Sequence, residues 1–303
     1  MPSGVVTNKI VSTAADPHFD SLQYIHSAGA WDAAGNRFAL SAVSNGDPIL
    51  MIVDVNRPDH RDEIRLPDFG EIYNPSWSPD GTRIVFSALK AGLSDLFLLN
   101  VETRAVDRLT ADAYADLQPA WAPDGSTIAF ATDRFTTTLA DLSFGPLQIG
   151  LLDLQTHDIR RLGIDEAGAK QISPQWAPGG DAIYFFSDRG GVSNVYRFEI
   201  LSGVLRQVTD VPGGVSGITP TSSALAVAAR AGTLAFSVYR GGRYEIQTLG
   251  DLSARGAGVA RLENSSTETM PSGLLTGLLA NAVPARFFDA RRAIERFRRS
   301  HQS

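Results

Sequence analysis

Short apolar runs, cut apart by corners rich in glycine, proline and aspartate, fill the first 262 positions of this chain. One corner recurs. Trp77-Ser78-Pro79-Asp80-Gly81 leads into Ile84-Val85-Phe86, Trp121-Ala122-Pro123-Asp124-Gly125 into Ile128-Ala129-Phe130, and Trp176-Ala177-Pro178-Gly179-Gly180 into Ile183-Tyr184-Phe185. An earlier copy, Trp31-Asp32-Ala33-Ala34-Gly35, leads into Phe38-Ala39-Leu40, and a fifth keeps Leu234-Ala235-Phe236 with Val227 where the Trp should stand. The landmarks at 31, 77, 121, 176 and 227 are 46, 44, 55 and 51 residues apart. Self-similarity at that period, with several short strands per unit, predicts stacked units of the propeller kind.

Each unit has a mechanism. Proline presets φ for the first turn position, aspartate bonds back to the backbone, and glycine takes the left-handed conformation. The Trp therefore closes one strand and the run after the turn opens its antiparallel partner. A third strand reads at 95–100, with equivalents at 49–54, 147–153, 194–199 and 244–249. A polar-rich fourth closes each unit at 107–110, 160–162 and 206–209, and Val259-Ala260-Arg261-Leu262 reads as the closing strand of the fifth. Inner strands apolar on both faces suit burial between neighbouring blades, and the amphipathic last strand suits an outer edge. The expected fold is all-β: a propeller of four-stranded antiparallel blades over residues 1–262, with five full blades. A leftover strand at Thr7-Asn8-Lys9-Ile10-Val11-Ser12-Thr13 suggests a six-bladed design of which this chain is an excerpt.

The Trp-Ser-Pro-Asp-Gly corner, the Ile-Val-Phe strand, the Asp95-Leu96-Phe97 strand and the Arg108-Leu109-Thr110 close resemble the WD-like propeller repeat of the TolB family, periplasmic proteins of the bacterial Tol system. The likeness runs over about 27–262 and is specific for fold rather than role, because such repeats serve many functions. It implies a periplasmic or cell-envelope setting and a protein or peptide partner. In that pattern the segment before each Trp runs along the channel, which gathers Tyr73, Asn74, Asp116, Gln118, Lys170 and Gln171 at one mouth as candidate partner-binding residues.

Composition adds limits. A hydrophobic content of 43% and a charged content of 20% are those of an ordinary globular protein, and the absence of cysteine removes disulfides and thiol chemistry. The net charge of −6 is uneven: the last 41 residues carry six Arg against four acidic residues, leaving the body at −8. An acidic body argues against nucleic acid. Beyond a polar linker from 263, Phe287, Ala290, Ile294 and Phe297 fall at helical steps among arginines, so 263–303 reads as linker and amphipathic helical tail. A basic helix over 285–299 suits peripheral contact with an anionic membrane or docking on an acidic surface. No apolar run spans a bilayer, no basic-then-apolar leader opens the chain, and a monomer is expected.

Catalytic signatures are weak. Similar propellers cap serine peptidases, which need a Gly-x-Ser-x-Gly elbow in a separate α/β domain. Gly214-Val215-Ser216-Gly217 falls one residue short, and no strand–helix alternation surrounds it. Gly190-Gly191 and Gly241-Gly242 are turn pairs, not phosphate loops. His18 and His26 beside Asp16 and Asp20 read as a polar loop rather than a metal site. The expectation is a non-enzymatic scaffold without metal or cofactor that binds a protein or peptide. The second reading is an accessory propeller of a larger hydrolase or outer-membrane protein. Two further features stand out: an insertion at 135–146 on one rim, and matched Thr132-Asp133-Arg134 and Ser187-Asp188-Arg189 triplets placed to brace turns.

Overall fold

The computed structural model describes residues 20–22, 27–57, 60–164, 168–217, 222–250 and 260–261. The expected helical tail, and the strand-like run at 7–13, lie outside these residues. Everything described is strand, turn or loop. Five antiparallel sheets follow one another, each a blade of a five-bladed propeller.

Blade 1 pairs Arg37–Ser44, Asp47–Asp54 and Arg61–Arg65, with Ser21–Leu22 and Ala30–Trp31 along its inner edge. Blade 2 comprises Glu71–Trp77, Arg83–Lys90, Leu93–Asn100 and Val106–Arg108. Blade 3 comprises Asp116–Trp121, Thr127–Thr132, Gln148–Asp153 and Ile159–Arg161. Blade 4 comprises Gln171–Trp176, Ala182–Ser187, Asn194–Glu199 and Leu205–Gln207. Blade 5 shows three strands, Leu225–Val227, Leu234–Arg240 and Arg243–Leu249.

The repeat landmarks sit at one ladder position in every blade. Trp31 opposes Phe38, Trp77 opposes Ile84, Trp121 opposes Ile128, Trp176 opposes Ile183, and Val227 opposes Leu234. Two residues further on, Phe86, Phe130, Phe185 and Phe236 are fully buried. Gly150 lies opposite Phe130, and a Cβ there would stand 2.9 Å from the ring, so the glycine makes room for it. The corner works as its chemistry requires. Gly81 has φ of 70°, and Asp80 Oδ1 accepts from the Thr82 N–H at 3.0 Å and from the Ser78 hydroxyl at 2.5 Å. Those donors hold the Asp80 carboxyl well down, to about 2.

Each Trp docks on the blade before it. The Trp77 indole N–H donates to Ala30 O at 3.2 Å, under the Arg37 guanidinium at 4.3 Å. The Trp176 N–H donates to Ala120 O at 3.1 Å, and Arg83 lies over the Trp121 ring at 5.0 Å. Trp31 has no earlier blade in sequence and is 53% exposed, packed on Phe38 at 5.0 Å. The far face of blade 5 is open in the same way, with Tyr239, Tyr244 and Ile246 in solvent. Between these two blades Arg230 Nη2 donates to Ala33 O at 3.2 Å.

One expected strand is placed differently. Ala260–Arg261 does not extend blade 5 beside Arg243–Leu249; it runs parallel to Thr209–Asp210, the continuation of blade 4's outer strand. Four alternating residues carry no information about which open edge they join or in which direction, so local pattern could not decide this.

Candidate functional site

Antiparallel pairing brings three sets of segments to one end of the propeller: the starts of the inner strands, the ends of the second strands, and the turns from second to third strand. Glu71 opposes Leu89, and Asp116 opposes Thr132. All six expected residues stand at this mouth, but at different depths.

Asn74 and Gln118 sit on a β-bulge that repeats in blades 2, 3 and 4. The register shifts between Tyr73 and Ser76, Leu117 and Ala120, and Ile172 and Gln175. The extra residue takes positive φ each time, 48° at Asn74, 54° at Gln118 and 53° at Ser173, and a proline follows. Around the bulge, backbone N–H groups and side chains of different blades bond together. The Asn74 N–H donates to Ser27 Oγ at 2.8 Å, and the Ser173 N–H to Gln118 Oε1 at 2.8 Å. Asn74 Nδ2 donates to Ser223 Oγ at 3.0 Å, linking blade 2 to the connection that enters blade 5. Asn74 and Gln118 are both buried.

Gln171 is buried too, its Oε1 accepting the Ile149 N–H at 3.3 Å. Asp116 is wholly buried, and its Oδ2 takes the Arg134 guanidinium at 2.7 Å. Burial nevertheless pushes its carboxyl above the usual range, against the opposing pull of Thr132 and Arg134. Tyr73 and Lys170 are only half-buried, and the Lys170 N–H donates to Asp188 Oδ1 at 2.8 Å. The mouth therefore has a buried layer (Asn74, Asp116, Gln118, Gln171) and an accessible one that includes Tyr73 and Lys170.

Sequence reading missed Ser27, Ser173 and Ser223, the partners within the buried layer. The signal for the bulge was present as Asn74-Pro75, Gln118-Pro119 and Ser173-Pro174 at constant distance from Trp. For the serines there was none, because their partners lie far away in the chain.

The matched triplets brace turns. Asp133 Oδ1 accepts the Ala115 N–H at 2.8 Å, its Oδ2 accepts the Thr137 hydroxyl at 2.7 Å, and Arg134 grips both Asp112 and Asp116. Asp95, Asp112 and Asp116 bring carboxylate oxygens within 4.8 Å of one another, the one such acidic group among the described residues. As a cation site it is poor. Arg108 already pairs with Asp95 at 2.6 Å, and Arg134 with the other two, so guanidinium groups supply the positive charge.

Beside this network, on the same face, rises the insertion. Thr138 and Ser143 exchange backbone bonds at 2.9 and 3.1 Å, Thr136 Oγ1 donates to Pro146 O at 2.8 Å, and the Gly145 N–H donates to Thr137 Oγ1 at 3.1 Å. This internally bonded loop holds Leu142 at 70% and Phe144 at 74% exposure.

The near-catalytic Gly214-Val215-Ser216-Gly217 is part of the blade 5 framework. Val215 bridges to Val238, and the Ser216 N–H donates to Ser237 O at 3.1 Å. That is ladder geometry, not a strand-to-helix elbow.

Comparison with known proteins gives these features a setting. Residues 23–138 match the family described as the TolB beta propeller domain. Among solved structures, TolB from Acinetobacter baumannii superposes with a TM-score of 0.56 at 19% identity, over 74% of this chain and 51% of that one. A putative TolB from Agrobacterium tumefaciens gives 0.57 at 19% identity, over 74% and 76%. A puromycin hydrolase gives 0.53 at 18% identity, over 75% of this chain but only 36% of the other. The chain thus spans about half the length of the Acinetobacter protein and about a third of the hydrolase. At these identities the likeness establishes the fold.

Proposed function

Taking the chain as a TolB-like β-propeller protein, we propose that it is a non-catalytic scaffold of the bacterial cell envelope that binds a protein or extended peptide across the mouth just described. The observation that carries this reading is the insertion loop. Three large apolar side chains, Leu139, Leu142 and Phe144, stand in solvent on a loop whose own hydrogen bonds fix it, at the same end of the sheets as half-buried Tyr73 and Lys170. Exposed apolar groups held rigidly at a rim lose little entropy on binding, as recognition surfaces require. Tyr73, Lys170, Leu142 and Phe144 are the contact residues in this reading. Asn74, Asp116, Gln118 and Gln171 set the shape beneath them. An acidic body disfavours nucleic acid and anionic lipid at this face, and among the described residues no helix is long and apolar enough to cross a membrane.

The test is site-specific photo-crosslinking from position 142 in cells expressing the full chain, compared with Leu139→Asp and Phe144→Asp together, and with Tyr73→Ala and Lys170→Ala together, the crosslinker staying at 142 in each. A discrete adduct lost in both pairs, with unchanged melting temperature, is the expected result. Folded variants that retain every adduct would overturn the reading. The puromycin hydrolase likeness favours a second reading, a propeller accessory to a catalytic domain in the same polypeptide. It predicts adducts within one chain rather than between chains.

A further inference from the structure

At the mouth of blade 1 the turn from second to third strand is only two residues long. Asn45-Gly46 joins the paired residues Ser44 and Asp47. Both take left-handed φ, 53° at Asn45 and 80° at Gly46, the geometry of a primed hairpin turn. Of the asparagines in the chain, Asn45 alone is followed by glycine. In that dipeptide the backbone nitrogen of the second residue reaches the side-chain amide of the first most easily, because glycine carries no side chain to shield it. Both residues are exposed, and no atom lies within 4 Å of the place a Cβ would occupy on Gly46. Asn74 is left-handed as well, but the proline after it has no N–H to give up.

Two features hold the reactive groups apart. A left-handed residue has ψ of about +30 to +60°, which directs the following nitrogen away from its Cβ, so the turn must open before ring closure. The Gly46 N–H also donates to Asp20 Oδ2 at 2.8 Å. Asp20 is itself tied down, because its N–H donates to Val43 O at 2.9 Å. Ser21 and Leu22 continue that attachment opposite Val43 and Ala42, on the inner edge of the blade. The Asn45 amide, for its part, donates to Ser44 Oγ at 3.4 Å. Segment 20–22 thus straps the turn shut through one carboxylate.

We propose that Asn45 is a modification site of this chain, one that deamidates through a succinimide when Asp20 releases Gly46. The Gly46 nitrogen gives up its proton and bonds to Asn45 Cγ. The Cγ–Nδ2 bond breaks, and the nitrogen leaves with a proton as ammonia. Water then adds to either ring carbonyl. One opening yields aspartate at position 45, the other isoaspartate, in which the main chain runs through the former side-chain carbon. The reaction consumes water alone. Its product does not fit the closed turn, since the new carboxylate stands beside Asp20 and Asp47, and like charges so placed repel. Isoaspartate also adds a backbone atom to a loop whose length fixes the register from Ser44 and Asp47 onward. Release of the strap is thereby recorded irreversibly, as one further negative charge at the mouth.

The test follows the peptide containing residue 45 by mass spectrometry, in the intact chain held at neutral pH in water enriched in heavy oxygen. Heavy oxygen enters only through the ring, and isoaspartate is recognised by its methylation with isoaspartyl methyltransferase. Conversion in the urea-unfolded chain should be at least about tenfold faster than in the folded one, because closure requires local opening. Asp20→Ala, which removes the acceptor, should recover most of that difference at unchanged melting temperature. Asp20→Asn keeps an acceptor oxygen and should recover less of it. Asn36 and Asn56, exposed but not followed by glycine, should remain amides in the same samples. Equal rates in the folded and unfolded chains, Asp20→Ala no faster than the native protein, or earlier conversion at Asn36 or Asn56 would each overturn the proposal.

Discussion

Replacing each propeller Trp by Phe offers a graded test of the docking geometry. Trp77, Trp121 and Trp176 occupy one ladder position, yet only two of them use the indole N–H. Trp77 donates to Ala30 O and Trp176 to Ala120 O, whereas the buried Trp121 Nε1 has no partner. Trimming Trp121 to Phe removes part of a ring, on the order of 40 Å³, which at ~24 cal/mol per Å³ costs about 1 kcal/mol. It also relieves an N–H buried without a bond, which offsets part of that loss. At Trp77 and Trp176 the same trimming breaks a hydrogen bond and strands a carbonyl, adding about 0.5–1.5 kcal/mol. The overlying arginine is matched between Trp77 and Trp121, so it cancels in that comparison. Trp121→Ala removes the whole side chain from a cluster with Val85, Leu96, Ile128, Phe130 and Leu152, and should cost about 3–5 kcal/mol. Urea denaturation gives these values from shifts in midpoint at constant slope. If Trp121→Phe proves as costly as Trp77→Phe, or Trp121→Ala costs under about 1 kcal/mol, the docking scheme is wrong.

Gly81→Ala puts a Cβ at φ of 70°, 2.6 Å from the Arg37 guanidinium that donates to Gly81 O; it should cost more than the ~1–2 kcal/mol of left-handed strain expected at Gly35, where no atom lies within 4 Å, as thermal melts of both variants would register. Burial raises the Asp116 carboxyl, so its contribution to stability is fully present below the unfolded value and lost as pH rises through the folded one. Asp116→Asn should flatten the fall in urea midpoint as pH rises above the ordinary carboxylate value of 3.8. Asp80 is depressed to about 2, so its contribution is present above the unfolded value near 3.8 and lost as pH falls towards 2; Asp80→Asn should make acid unfolding over that window shallower, read by tryptophan fluorescence.

The blades were legible because their determinants are local. The turn, the ladder partner seven residues after Trp and the buried Phe two further on all follow from adjacent residues, so even Val227 could be set in register without its Trp. What was hidden depends on distance. Asn74 meets Ser223 across 149 positions, and nothing near either residue marks the pairing. Of the six residues read as a recognition ring, Asn74, Asp116, Gln118 and Gln171 are buried, and for Asn74 and Gln118 the cause is a bulge that reverses the alternation strand periodicity assumes. The exposure of Trp31 also escaped notice, since burial of a Trp depends on the blade before it.

That dependence gives the molecule a direction in time. Each Trp is received by a blade already complete when the Trp emerges: Ala30 and Arg37 precede Trp77, and Ala120 precedes Trp176. During synthesis, which proceeds from the amino terminus, every new blade finds its dock waiting and need never hold an indole in water while a later segment is made. Blade 1 alone has no earlier blade in this sequence to receive its Trp, and Trp31 is 53% exposed.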